Sequence, residues 1–129
     1  GTALSFVAAD FQGVPITIER MRIETTDTGP GTTGITVEAW VYTSSPTPTT
    51  DNSAFSQPGA GLRGRLTGTF IATSDGSHAV LVPAEGSRLM FHANDKSFYI
   101  PGLKTLTAFS PSANSTTFAF RAEGFQGRV

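Results

Sequence analysis

Few side chains in this chain could carry chemistry: it has two histidines, no cysteine and ten carboxylates. His78 and His92 are the only imidazoles. Neither sits in a His-x-His or His-x-x-x-His spacing that would place two ligands on one metal ion. Each lies in a short run with apolar neighbours that reads as a strand, so both are expected to be half-buried strand residues. Asp75, Ser77 and His78 are the residue types of a nucleophilic triad. Their adjacency argues against one, because a triad is a spatial constellation and Ser74-Asp75-Gly76-Ser77 is turn chemistry. Glu19, Glu24 and Glu38 fall in alternating runs, where the ordinary place of Glu is a solvated strand face rather than one wall of a hydrolytic cleft. Asp27, Asp51 and Asn52 lie in loops and have the hard oxygen atoms that calcium takes, but no ligand run of the EF-hand kind accompanies them. The residues thus point to a protein that is not an enzyme and needs no metal or cofactor.

Trp40, Tyr42 and Tyr99 offer a different chemistry. Exposed together on a sheet, they would form a platform on which a sugar ring stacks; buried, they are core or protein interface. Residues 35–42 alternate, with Ile35, Val37, Ala39 and Val41 on one face and Thr36, Glu38, Trp40 and Tyr42 on the other. The second face is half aromatic, so both sides of this strand are candidates for being covered.

The elements that must position these residues are all strands. Residues 14–24 alternate apolar and polar with one irregularity around Arg20, which predicts a bulge. Residues 25–34 hold three glycines and a proline and read as an exposed connection. The strongest hairpin signal joins residues 66–73 to 78–82, because Asp75-Gly76 suits the positive φ angles of a tight turn. Residues 88–92 and 96–100 flank a turn at 93–95, and 103–109 and 116–122 flank another at 110–115. No sustained 3.6-residue stripe is present, and 14 glycines and 8 prolines interrupt any long helix. Short strands at intervals of about ten residues predict one all-β domain over residues 1–129, an antiparallel β-sandwich of jelly-roll type. An immunoglobulin-like sandwich is the alternative, without the Cys, Trp, Cys spacing of its true members. Residues 1–9, in which Leu4 and Phe6 alternate with small or polar residues, read as an arm able to add a strand to a neighbour's sheet. The tripeptide Phe-Gln-Gly occurs at 11–13 and 125–127 with nothing repeated around it.

Composition narrows the partners. Charged residues are 15% of the 129, against about 25% in an average domain, and the net charge is −1. That removes the basic footprint of a nucleic-acid binder, and no apolar run is long enough to cross a bilayer. Lysine occurs only at 96 and 104, while Thr, Ser, Gly and Ala are abundant. A surface of small neutral groups can sit among neighbours without burying unpaired charge.

One segment carries a family likeness. Residues 41–55 run from a strand into a polar loop containing Pro46, followed by Asp51-Asn52, two small residues ending in Ala54, and Phe55. This pattern resembles one seen in small β-rich structural proteins of tailed bacteriophages. The resemblance implies a virion component that decorates the capsid or belongs to the tail, with copies of itself or other virion proteins as partners. It assigns no catalytic residue. In physical terms Asp51-Asn52 would form an Asx-type turn and Phe55 would tuck the loop back on the sheet. The competing reading is a carbohydrate- or receptor-binding module that uses Trp40, Tyr42 or Tyr99 on a surface glycan.

Overall fold

The computed structural model describes residues 4–45, 61–84, 88–92, 96–105, 109–113 and 115–127. Among them there is no helix, and the strands are β1 (Leu4–Val7), β2 (Pro15–Thr25), β3 (Thr36–Tyr42), β4 (Leu62–Thr69), β5 (Ile71–Thr73), β6 (Gly76–Pro83), β7 (Leu89–His92), β8 (Ser97–Ile100), β9 (Leu103–Thr105) and β10 (Ala119–Gln126). All pairings are antiparallel and join the strands in the order β1-β8-β3-β4-β6-β2-β10, with β5 on β6, β7 on β2 and β9 on β3. The all-β antiparallel fold predicted from periodicity is what the chain adopts, as one sheet curled almost closed into a barrel around its apolar face.

β2 shows how the curl is made. Opposite β10 its register slips, Glu123 facing Arg20 and Gly124 facing Ile18, so Glu19 is the extra residue of a bulge. This is the irregularity anticipated at Arg20. A bulge bends its strand and increases the local twist. Accordingly the first part of β2, up to Ile18, pairs with β7, and the part from Met21 onward pairs with β6.

The hairpin predicted around Asp75-Gly76 forms, with Thr73 opposite Gly76 across a two-residue turn. Its first strand is not continuous as residues 66–73 suggested, because pairing stops at Phe70. There the backbone N–H donates to the Ile35 carbonyl at 3.0 Å and the carbonyl accepts from the Gly34 N–H at 2.7 Å. The Phe70 ring is fully buried, stacked on Phe109 at 5.8 Å and edge-on to Phe118 at 6.0 Å. The chain thus turns a corner between β4 and β5, and three aromatic rings fill it. A second aromatic group fills the other end, where Phe6 stacks on Phe98 at 4.9 Å and Phe91 meets Phe98 edge-on at 6.1 Å. Between the two groups lie Ile18, Met21, Ile23, Val37, Val41, Leu66 and Leu81, each at 2% exposure or less.

Residues 4–9 of the segment read as an arm are described, and β1 is its strand. It forms the first strand of the chain's own sheet, pairing with β8 from Leu4 opposite Ile100 to Val7 opposite Ser97. The alternation of Leu4 and Phe6 is used to pack on the chain's own core. β10 begins later than the 116–122 expected and runs on past Gly124 to Gln126.

Candidate functional site

The residues singled out for chemistry are placed apart and, in several cases, already engaged. Ser77 is fully buried, and its hydroxyl donates to the Asp27 carbonyl at 2.6 Å and lies 2.8 Å from the Thr33 hydroxyl. His78, the next residue along β6, points to the opposite face and meets the Asp75 carboxylate at 3.4 Å. Strand alternation therefore separates the serine from the histidine, and the triad is not assembled. Asp75 also accepts from the Thr73 hydroxyl at 2.7 Å, and this bond, with the neighbouring His78, holds its carboxyl below the usual range. His92 is exposed on β7, opposite Pro15 of β2.

Asp27 is a structural hub. Oδ1 accepts from the Gly29 N–H at 2.9 Å and the Ser112 hydroxyl at 2.7 Å; Oδ2 accepts from the Thr32 hydroxyl at 2.8 Å and the Ser112 N–H at 2.9 Å. Led by the Ser112 hydroxyl, these donors hold the carboxyl far below its ordinary value. Four donors converging on one carboxylate do the job a cation would do. Calcium, weighed above for Asp27, would here face N–H and O–H donors. The arrangement corrects the picture of residues 25–34 as a merely exposed connection. Thr32 is fully buried, and the Gly31 carbonyl accepts from the Ser110 N–H at 2.9 Å. Asp51, Asn52 and Phe55 lie outside the described residues.

The aromatic platform is divided. Tyr42 is fully buried, which removes it as a ligand contact. Val41 on the core face is buried as well, so both faces of β3 are covered here; alongside, the register slips, Val41 facing Gly64 and Tyr42 facing Leu62, with Arg63 extra on β4. Burial raises the Tyr42 phenol above its ordinary value. Tyr99, half-buried on β8, pairs with Tyr42. Trp40 is half-buried on the outer face, where Arg65 lies over its ring at 5.9 Å and Lys104 at 5.7 Å from the centroid. Its indole N–H donates to Glu38 at 2.6 Å, and Glu38 in turn meets Arg65 at 3.5 Å. The ring that a sugar would need already carries two cations.

The surface feature that these residues did not announce is the seam between the two ends of the sheet. Along it stand Val7 at 79% exposure and Phe125 at 51%. A cavity of about 190 Å³ separates β1 from the second half of β10 and reaches down to Ile16, Ile18 and Phe98. At one end the seam is clasped. Gln126 accepts from the Asp10 N–H at 2.8 Å and donates to the Asp10 carboxylate at 2.7 Å, while the Gly127 N–H continues the β10–β2 ladder by donating to the Pro15 carbonyl at 2.7 Å. This brings the two Phe-Gln-Gly tripeptides near each other. Among the described residues no buried side-chain nitrogen or oxygen lacks a partner.

The chain matches no protein-family model, no curated protein and no solved structure.

Proposed function

We propose that this chain is a structural component of a tailed-phage virion that works by packing, on the capsid as a decoration protein or in the tail, and that it is not an enzyme. The observation that carries the reading is the seam. Two sheet ends that do not pair with each other among the described residues flank a cavity at whose rim Val7 and Phe125 stand exposed, and such a surface is suited to burial against protein. Two further features support it. The exterior is poor in lysine, so neighbours can close on it with little charge to desolvate. Residues 41–55 resemble the strand-to-loop segment of small phage structural proteins. A protein that clamps neighbouring subunits adds contact only in the assembled particle, and so stabilises the particle by mass action.

The carbohydrate-binding alternative has lost Tyr42 to the core and finds Trp40 already flanked by Arg65 and Lys104. Co-sedimentation separates the two. Purified chain mixed with phage particles from the source culture is expected to pellet with them at saturating stoichiometry. Failure to pellet, combined with saturable binding on a glycan array, would replace the virion reading with the receptor-binding one.

A further inference from the structure

We infer that residues 4–10 form a strap along the seam, which lifts off β8 and the core as a unit about the exposed residues 11–13 while the other strands stay folded. β1 is lightly held. Among the described residues it has a backbone partner on one side only, β8, over four residues. Along its other side runs the seam cavity, which Phe6, Val7 and Ala8 share with the run from Ala122 to Phe125, so packing atoms are missing there. Its side chains alternate, with Leu4 and Phe6 half-buried on the core and Ser5 and Val7 exposed. The strand it lies on is anchored more deeply. Ile100 and Phe98, which face Leu4 and Phe6 across the pair, are at 2% exposure or less, and Phe98 also meets Phe91 edge-on at 6.1 Å. Lifting β1 therefore gives up the smaller share of the contacts. Segments that open without global unfolding are those with few buried apolar contacts and weakly protected backbone bonds.

What holds the strap is at its C-terminal end. The N–H groups of Ala8 and Ala9 both donate to the Lys96 carbonyl, at 2.9 and 3.1 Å, and Asp10 closes the reciprocal clasp with Gln126. The clasp joins the end of the strap to the end of β10 across the seam. It is exposed, so water can take the place of either bond. Beyond it Phe11, Gln12 and Gly13 are exposed, Gly13 takes φ +75°, and a Cβ there would meet nothing within 4 Å. Val14 then returns the chain to the core at 2% exposure. A pivot at 11–13 moves the strap without disturbing β2. With the strap lifted, the cavity runs on over Phe98 and Ile100, and a narrow crevice becomes an open strip along β8.

The inference does not rest on the virion reading, since a strap could open in a protein of any function and a particle could bind the closed form. Its test uses the absence of native cysteine. Ile100→Cys puts a thiol opposite Leu4, and Leu81→Cys puts one at an equally buried position on β6. Ellman's reagent is added to each folded full-length variant, with urea stability measured alongside so that labelling through global unfolding is subtracted. Ile100→Cys is expected to label about tenfold or more faster than Leu81→Cys. Adding Gln126→Ala should speed the first by about three- to tenfold, through loss of the two hydrogen bonds of the clasp, and leave the second unchanged after the same correction. Hydrogen exchange of the wild type makes the comparison without a substitution: amides bonded between β1 and β8 should exchange about tenfold or more faster than those bonded between β2 and β6. Equal labelling of the two thiols, an Ile100→Cys rate that Gln126→Ala does not change, or β1–β8 amides as slow as those between β2 and β6 overturns the inference.

Discussion

Removing the Phe70 ring should unlatch the corner that lets one sheet curl on itself. The side chain is fully buried and touches two other rings, at 5.8 and 6.0 Å. Truncating a buried Phe to Ala costs about 3–5 kcal/mol, from lost transfer energy and the cavity left behind. The ring contacts supply part of that, at about 0.5–1.5 kcal/mol each. With a urea slope of about 2 kcal/mol/M for a domain of this size, Phe70→Ala should lower the unfolding midpoint by about 1.5–2.5 M. Total stability of such domains is about 5–15 kcal/mol, so the variant is at best marginal. Phe70→Leu keeps most of the volume and loses the ring contacts, and should fall about midway. The assay is equilibrium urea unfolding, followed by far-UV circular dichroism and by the emission of Trp40, the single tryptophan. A Phe70→Ala midpoint within about 0.5 M of wild type, near 1 kcal/mol on the same slope, would refute the packed corner.

Three other outcomes follow from the geometry. The Asp27 carboxyl titrates lower in the fold than in the unfolded chain, where it takes the ordinary value of 3.8. Its contribution is therefore complete above about pH 5 and is lost as pH falls through 3.8 and below. Asp27→Asn should lower the urea midpoint at pH 7 and flatten its decline between about pH 5 and pH 2; an unchanged pH profile would show that the four donors do not stabilise the carboxylate. Gly76 has φ +152°, and a Cβ there would overlap the Thr25 carbonyl oxygen, so Gly76→Ala should cost more than about 1 kcal/mol in the same unfolding assay. Titration with neutral sugars should leave Trp40 emission unchanged, and a saturable shift would show that its ring is open to a ligand.

Local signals in the sequence carried the strand pattern well. The turn signal at 74–77 marked a hairpin, whose two turn residues are Ser74 and Asp75 with Gly76 already paired to Thr73, and the broken alternation near Arg20 marked a bulge at Glu19. The curl was not legible, because it depends on which strands become neighbours. Nothing near Leu4 says that it will lie opposite Ile100. Tyr42 is fully buried although alternation puts it on the face opposite Val41, so both faces of β3 are covered, as its half-aromatic second face suggested. Asp27 read as an ordinary loop acid because two of its four donors come from Ser112, 85 positions away. The seam was hidden for a related reason. Phe125 lay beyond the last strand expected, and the alternation of Phe118, Phe120 and Ala122 continues to Gly124 rather than to Phe125.

The central claim is that the chain belongs to an assembled particle and acts there by contact. Quantitative mass spectrometry of gradient-banded, salt-washed particles from the source culture tests this most directly, through the ratio of this chain to the major shell or tube protein. The account predicts a fixed, simple ratio that persists through washing. A chain found only in the unbanded supernatant, or in the band at a trace level that washing removes, would contradict it.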